Sequence, residues 1–357
     1  MTQETIHQPL PMADEVVAAA VHGSFCPKMC NHVCPVFTVT GRDDAMPWSL
    51  HREVADLGLG RTVPSDVGGR LDACNGCLAC QNPCVFDQDV PAQVVAARTS
   101  VMAAGVDRDL AIRAADAVAD GQSPYGRDDL RLGQDDDVHL DAAVVLLAGC
   151  RSTQAECKAA AAIGAAAGLL VRVVVPPGCC GSVLRDLGLP EAADVRGRAL
   201  ASHLSDANRI VTMEEQCERE MPASVEVIDV ATWLAELVGS LPLRTDGPSV
   251  TWHDPPRLAR GLGVIDAPRA VLSALGATVV EPEGTGRGTV SAGSGLGFDL
   301  LAPDDAAAVA VHRAGQLTAT GASIVSTGPE VAMLRAAGLE VTSLLELVAA
   351  HLINPEA

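Results

Sequence analysis

Residues 74–84 carry a closely spaced group of cysteines in the sequence CNGCLACQNPC. Cys74, Cys77, Cys80 and Cys84 have the spacing C-x2-C-x2-C-x3-C, which is typical of a backbone that wraps around one face of an iron–sulfur cubane and directs its fourth thiolate to another cluster. Thiolates are soft ligands that suit iron–sulfur clusters or zinc and bind magnesium and calcium poorly. This stretch therefore predicts an iron–sulfur motif, with a zinc site as the alternative.

A second, less regular group of cysteines precedes that motif: Cys26, Cys30 and Cys34, the last followed by a proline. In two-cluster ferredoxins the last cysteine of each motif binds the cluster of the other motif. This exchange predicts a [4Fe-4S] site with four ligands, namely Cys34, Cys74, Cys77 and Cys80. Three cysteines are left for a second cluster, namely Cys26, Cys30 and Cys84. We expect that cluster to be [3Fe-4S], or [4Fe-4S] with a non-cysteine ligand such as His22 or His32.

Four further cysteines follow short apolar runs in the second part of the chain, namely Cys150, Cys179, Cys180 and Cys217. Each run resembles a parallel strand, and α/β domains place their sites beyond the carboxyl ends of such strands. Gly181, directly after the cysteine pair, would let the backbone approach a metal closely. These cysteines predict a third iron–sulfur cluster or a zinc site. Cys157 lies alone on an Ala-rich helical stretch, and we interpret it as a buried small hydrophobic residue.

Composition limits the classes of function. The net charge of −20 would repel phosphate backbones and anionic lipid, and an aromatic content of 2% leaves little for stacking on bases, so we expect no nucleic-acid partner. The longest apolar run, residues 159–171, is too short for a transmembrane segment. The first 25 residues lack the pattern of a secretory signal. We expect a cytoplasmic protein, or one peripheral to the inner membrane through a partner.

The chain divides into units with different patterns. We predict a polar tail over residues 1–15, a mostly helical ferredoxin-like unit over 16–120 and an acidic linker over 121–140. Two tandem α/β, Rossmann-like units follow over 141–245 and 246–357, as copies of a repeat of about 110 residues. The second copy has Pro256, Ser291-Ala292-Gly293 and Val331 where the first has its cysteines. The fold class is therefore α+β multidomain, with a second α/β unit that lacks cysteines.

The secondary structure expected in the two copies alternates strands with helices, which favours parallel sheets. The predicted strands are Val144–Leu147, Val171–Val175, Ile210–Thr212, Val225–Ile228, Val250–Trp252, Thr278–Val280, Ser323–Val325 and Leu339–Val341. The predicted helices are Ala159–Leu170, Glu191–Leu204, Pro268–Leu275 and Asp304–Thr318.

These features together resemble the cysteine-rich CCG-domain iron–sulfur proteins, which include heterodisulfide reductase subunits and the iron–sulfur subunits of glycolate oxidase and lactate-utilisation systems. The resemblance rests on the paired N-terminal motifs, on Cys179-Cys180-Gly181 and on the strand-ending stretch 252–255, Trp-His-Asp-Pro. It implies CCG-type domains for the two α/β units. By position, it implies cluster ligands at Cys150, Cys179, Cys180 and Cys217.

The resemblance implies three functions. The first is an iron–sulfur electron-transfer subunit that relays single electrons between a separate flavoprotein dehydrogenase and a quinone, an electron-transfer flavoprotein or another carrier. Such a chain is a redox subunit rather than a complete enzyme, and its catalytic residues stay unassigned. The second is a subunit similar to heterodisulfide reductase that reduces a disulfide at the CCG cluster. The third is a docking or structural subunit that carries zinc.

Overall fold

The structure is a computed structural model that describes residues 9–61, 66–106, 108–126, 144–176 and 178–353. No helix within these ranges has the length and apolar character needed to cross a membrane.

The N-terminal part of the described chain is built from helices joined by short turns. The helices are α1 (Asp14–Ser24), α2 (Pro35–Thr40), α3 (Pro47–Gly58), α4 (Val67–Leu71), α5 (Val90–Ala103) and α6 (Asp109–Ala119). Proline begins α2 and α3, where its fixed φ suits the first helical turn and its missing N–H costs nothing. Two short 3-10 turns, Met29–Val33 and Ala79–Gln81, carry cysteines between the helices.

The structure differs from the predicted polar tail at its end. Leu10 is buried, and its N–H donates a hydrogen bond to the carbonyl of Leu57 (3.1 Å). Its apolar side chain joins the core of the helical unit, and α1 already begins at Asp14. The first eight residues of the tail and residues 127–140 of the predicted linker lie outside the described residues.

The first sheet has four parallel strands in the order β2-β1-β3-β4. They are β1 (Val144–Leu147), β2 (Val171–Val174), β3 (Arg209–Thr212) and β4 (Glu226–Asp229). The helices of this unit are α7 (Gln154–Ala166), α8 (Ser182–Asp186), α9 (Pro190–His203) and α10 (Val230–Leu237). The predicted helix over 159–170 begins earlier than expected because Thr153 and Glu156 form a capping box at its start.

The second sheet repeats this architecture in the order β6-β5-β7-β8, again with parallel pairing. Its strands are β5 (Ser249–Trp252), β6 (Thr278–Val279), β7 (Ser323–Ser326) and β8 (Val341–Ser343). Its helices are α11 (Asp266–Ala274), α12 (Phe298–Leu301), α13 (Pro303–Thr318), α14 (Pro329–Ala336) and α15 (Leu344–Ala350). The last strand begins later than predicted because the N–H of Leu339 still bonds to Leu334 at the end of α14.

The two sheets confirm the coarse fold prediction, an α/β arrangement that repeats after a helical unit. One apolar core includes residues of both copies, among them Leu146, Trp233, Trp252 and Val325. Helix α10 packs on α11, and α7 packs on α15. The two α/β units therefore share buried apolar surface, which stabilises their association.

The turn that carries the cysteine pair recurs in the second copy. Gly181 has φ +108°, and a Cβ there would lie 2.7 Å from the carbonyl oxygen of Ala193. Gly293 has φ +96°, and a Cβ there would lie 2.6 Å from the carbonyl oxygen of Ala306. Since both positions need a positive φ and leave no room for a side chain, only glycine fits. The alignment of 179–181 with 291–293 is therefore matched by the backbone.

Candidate metal centre

The structure brings the four cysteines of the predicted [4Fe-4S] site to one cavity. Cys34 and three cysteines of the second motif line a cavity with an empty volume of about 320 Å³. The other lining residues in the described chain are apolar except Asn75, and Leu50 and Val90 are among them. The cavity therefore offers four sulfur donors within apolar walls. Its four cysteines are Cys34, Cys74, Cys77 and Cys80.

Local backbone geometry produces this convergence. Cys34 directly precedes α2, so its side chain projects from the start of a helix. Between the cysteines of the second motif, Gly76 (φ +65°) and Leu78 (φ +61°) adopt left-handed conformations. These positive φ values turn the chain sharply after each pair of residues, so that successive sulfurs face the same cavity. Asn75 supports the turn by accepting a hydrogen bond from the N–H of Cys77 (3.3 Å).

The electrostatics of the cavity disfavour four free thiolates. Burial, reinforced by repulsion from Cys77, raises the pKa of Cys34 to about 12. Burial also raises the pKa of Cys74 to about 11 and that of Cys80 well above its ordinary value. Burial and like charge both penalise thiolates, so their ionisation here requires a positively charged centre. An iron–sulfur core supplies that charge, and the donor set of this cavity fits a [4Fe-4S] cluster.

The three cysteines assigned to the second cluster also lie together. Proximity to Cys26 and Cys84 adds to the effect of burial and raises the pKa of Cys30 to about 11. The N–H of Gln88 donates to the sulfur of Cys84 (3.5 Å), an interaction that would stabilise a thiolate. The structure gives neither candidate histidine a ligand's position: His22 stacks on Phe86, with ring centroids 4.2 Å apart, and His32 is exposed.

The third group of cysteines meets at the carboxyl end of the first sheet. Cys150 follows β1, the cysteine pair follows β2, and Cys217 follows β3. The sulfurs of Cys180 and Cys217 lie 3.2 Å apart, and Cys179 contacts both Cys150 and Cys180. Three of these cysteines are buried to 2% exposure, namely Cys179, Cys180 and Cys217. Cys157 is buried in the core away from this group, as predicted.

The third group has the geometry of a chain of sulfurs. Hydrogen bonds from Cys150 and Cys180 hold the pKa of Cys179 well below its ordinary value, and the N–H of Gly181 also donates to this sulfur (3.4 Å). The bond to Cys179, together with burial, raises the pKa of Cys150 well above its ordinary value. Within the described ranges, no three His, Cys, Asp or Glu side chains form a single-ion site.

The equivalent position in the second copy is filled by a carboxylate. Glu330 is fully buried and accepts hydrogen bonds from Nε2 of His253 (2.8 Å), from the N–H of Ala292 (2.6 Å) and from the hydroxyls of Ser291 and Ser294. It precedes Val331, the residue aligned with Cys217. The second copy therefore has a hydrogen-bonded ionic network where the first has sulfur.

Buried arginines connect the units and were not predicted. Arg98 is fully buried and donates to the carbonyls of Cys74 (3.4 Å), Asp186 (2.8 Å) and Leu296 (2.8 Å), so it joins all three units. Arg260 donates to the carbonyl of Cys77 (2.6 Å). An arginine on the otherwise apolar face of a predicted helix was the available signal for Arg98. The partners of Arg260 are too distant in sequence for such a signal.

A small cavity separates the ferredoxin-like site from the third group of cysteines. Cys77 lines one side of it, and Gln216, next to Cys217, lines another. Glu330 and Arg257 of the second copy complete its wall. The two sulfur sites are therefore close neighbours across the junction of the three units.

Comparison with known proteins gives two relatives in methanogenic archaea, and both are subunits of dihydromethanophenazine:CoB–CoM heterodisulfide reductases. The chain is 33% identical over 171 residues to the Methanosarcina mazei protein. It is 31% identical over 171 residues to the corresponding protein of Methanosarcina barkeri. Each match covers 42% of this chain and 41% of the relative, so the chain matches less than half the length of these proteins. The similarity confirms the predicted resemblance to heterodisulfide reductase subunits.

No protein-family model matches the chain. No solved structure matches it either.

Proposed function

We propose that this chain is an iron–sulfur electron-transfer subunit of a multi-subunit oxidoreductase. The observation that carries the proposal is the convergence of Cys34 with the three cysteines of residues 74–80 in one apolar cavity. A cluster bound there supplies one-electron redox chemistry, and the protein contributes the ligands, the apolar walls and the nearby charges. The proposed ligands are Cys34, Cys74, Cys77 and Cys80 for the first [4Fe-4S] cluster.

The other sulfur sites extend this proposal into a relay. The second cluster would be held by Cys26, Cys30 and Cys84, and the third site, iron–sulfur or zinc, by Cys150, Cys179, Cys180 and Cys217. The small cavity shared by Cys77 and Gln216 supports transfer between the first and third sites, because it shows how closely they approach. In this arrangement residues 16–120 form the ferredoxin-like unit, 141–245 the α/β unit with sulfur ligands, and 246–357 the unit without them.

The partners in this proposal are separate proteins. A flavoprotein dehydrogenase would exchange electrons with the chain, and a quinone, an electron-transfer flavoprotein or another carrier would lie at the other end. The relatives are named as subunits of a reductase, which supports a role as one subunit of a complex. The burial of Cys179, Cys180 and Cys217 favours this role over disulfide reduction, which needs a substrate cleft at these sulfurs.

Reductive titration tests the proposal. Protein purified under anaerobic conditions is titrated with sodium dithionite, and the spin signals of reduced clusters are followed by electron paramagnetic resonance. We expect reversible uptake of one electron per cluster. A folded protein that takes up no electrons, or one that contains only zinc, would contradict the proposal.

A second assay separates electron transfer from the disulfide-reductase alternative. The reduced protein is mixed with a mixed disulfide of two small thiols, and the release of free thiol is measured. We expect no turnover above that of the reductant alone. Catalytic release of thiol would instead assign the disulfide chemistry to the third site.

A further inference from the structure

Exposed apolar side chains surround the second group of ferredoxin-like cysteines. Each of five such residues lies directly beside a cysteine of the N-terminal motifs: Phe25 (85% exposed), Met29 (52%), Val33 (39%), Val85 (80%) and Phe86 (43%). The whole chain has four phenylalanines, and two of them are in this set. Exposed large apolar residues that are scattered singly need no explanation, but a concentration of them at one site indicates an interaction surface.

These residues form a continuous surface, which we call the phenylalanine patch. The N–H of Phe25 bonds to the carbonyl of His22 (3.1 Å), and the ring of Phe86 stacks on His22 at a centroid distance of 4.2 Å. Met29 and Val33 belong to the short turn that packs against the turn Ala79–Gln81. The patch therefore covers the protein surface where Cys26, Cys30 and Cys84 meet.

The charge around the patch differs from that of the rest of the molecule. The chain has a net charge of −20, yet no Asp or Glu occurs between residues 16 and 42 or between residues 73 and 86. Lys28, one of two lysines in the chain, lies within the first segment, with its ammonium 3.6 Å from the centre of the Trp48 ring. The first acidic residue after the second segment is Asp87. The patch is thus an apolar, weakly positive surface on a strongly negative protein.

We propose that the phenylalanine patch is the docking surface for a redox protein whose contact face has an apolar centre and an acidic rim. This inference rests on the proposed function and names the partner-facing end of the relay. Its apolar residues supply contact area over the second cluster, and Lys28 favours a partner of negative charge. On docking, one electron passes from the reduced centre of the partner to the cluster, so that the partner is oxidised and the cluster reduced by one electron.

Two other occupants fit the patch less well. A second copy of the chain would bring Lys28 against Lys28 and add a second charge of −20 to the assembly. An anionic lipid surface attracts proteins through clusters of basic residues, whereas this patch has one lysine. A protein partner is therefore the occupant that its chemistry favours.

The test uses flavodoxin, a small acidic flavoprotein, as the probe. Flavodoxin reduced to its hydroquinone is mixed with the anaerobic, iron-loaded chain, and cluster reduction is followed by stopped-flow absorbance. We expect the Phe25→Ser/Phe86→Ser variant to be reduced at least tenfold more slowly than the wild type. Lys28→Glu should also slow the reaction, and added salt should reduce the difference between Lys28→Glu and wild type.

Two controls make the outcome decisive. Val195→Ser/Val311→Ser removes exposed apolar residues from α9 and α13, far from the patch in sequence, and should react at the wild-type rate. Reduction by dithionite should be the same in all variants, because it needs no docking. An iron-loaded patch variant that reacts with flavodoxin at the wild-type rate, or a wild type that flavodoxin does not reduce, would overturn the inference. Iron-free protein would instead contradict the proposed function.

Discussion

At the scale of single residues, Arg260 is a buried cation beside a proposed cluster ligand. Its guanidinium donates to the carbonyls of Cys77 (2.6 Å), Arg287 (2.9 Å) and Thr289 (2.7 Å). No carboxylate forms an ion pair with it within the ranges the structure describes. A buried charge without a counter-ion is costly, and the anionic cluster bound by Cys77 would provide one.

This charge should tune the reduction potential of the first cluster. Arg260→Gln removes a positive charge that favours the more negative, reduced state of the cluster. We expect the one-electron reduction equilibrium to fall by about tenfold, which corresponds to a potential about 59 mV lower. The measurement is a redox titration followed by electron paramagnetic resonance.

The control for this variant is Arg287→Gln, which makes the same change of charge at an exposed position. Solvent screens an exposed charge, so the potential should stay at the wild-type value. If both variants leave the potential unchanged while the protein keeps its iron, Arg260 has no tuning role.

His253 links the stability of the second copy to pH. Burial, which outweighs the bond to Glu330 and is reinforced by the nearby charge of Arg313, lowers the pKa of His253 below its ordinary value of 6.5. Nδ1 of His253 accepts from Nε of Arg313 (3.3 Å), so the proton of the neutral ring lies on Nε2 and points to Glu330. As the pH falls below 6.5, the unfolded chain binds a proton at this residue that the folded chain resists, and stability is lost.

We therefore expect the free energy of unfolding of the wild type and of His253→Gln to converge as the pH falls from 7.5 to 5.5. The variant is less stable at the higher pH, but it lacks the proton uptake that destabilises the wild type in acid. Urea unfolding at both pH values measures the difference, which can change by at most about 1.4 kcal/mol per pH unit. His312→Gln, at an exposed position, should show a constant difference. A constant difference for His253→Gln as well would show that this residue is not the source of the linkage.

At the scale of elements, the strands were predictable because parallel strands buried on both faces are continuous apolar runs. Strand β1 has the predicted bounds Val144–Leu147, and it is buried along its whole length. The turn residues at Gly181 and Gly293 were also aligned correctly from sequence. The carboxylate of Glu330 was not predicted, since its partner His253 lies 77 residues away. Likewise, Arg260 and Cys77 are 183 residues apart.

Glu330 anchors the start of α14 to the loop that follows β6, and its removal should destabilise the second copy. Glu330→Ala leaves His253 and the N–H of Ala292 without their shared acceptor in a fully buried site. Breaking a buried pair in this way costs about 3–5 kcal/mol. Urea unfolding should show this loss, and Glu340→Ala, at an exposed position, should show almost none. A loss below about 1 kcal/mol for Glu330→Ala would mean that the network does not stabilise the copy.

At the scale of the whole molecule, the three units meet around sulfur. Arg98 on α5 joins the helical unit to the carbonyls of Asp186 and Leu296, one in each α/β copy. The second group of cysteines lies at the surface beneath the phenylalanine patch, and the first lies near the junction of the units. The third follows across a small cavity. The sequence indicated which cysteines are candidates, but their order in space depends on contacts between units that local patterns do not encode.

The central claim is that the sulfurs of Cys34, Cys74, Cys77 and Cys80 hold an iron core. Its most direct test is the iron and inorganic sulfide content of anaerobically purified wild type, Cys34→Ala and Cys157→Ala. We predict that Cys34→Ala contains about four iron atoms fewer per chain than the wild type. Cys157→Ala, which removes a buried thiol remote from the others, should keep the wild-type content. A folded wild type without iron, or a Cys34→Ala variant with its full content, would contradict the account.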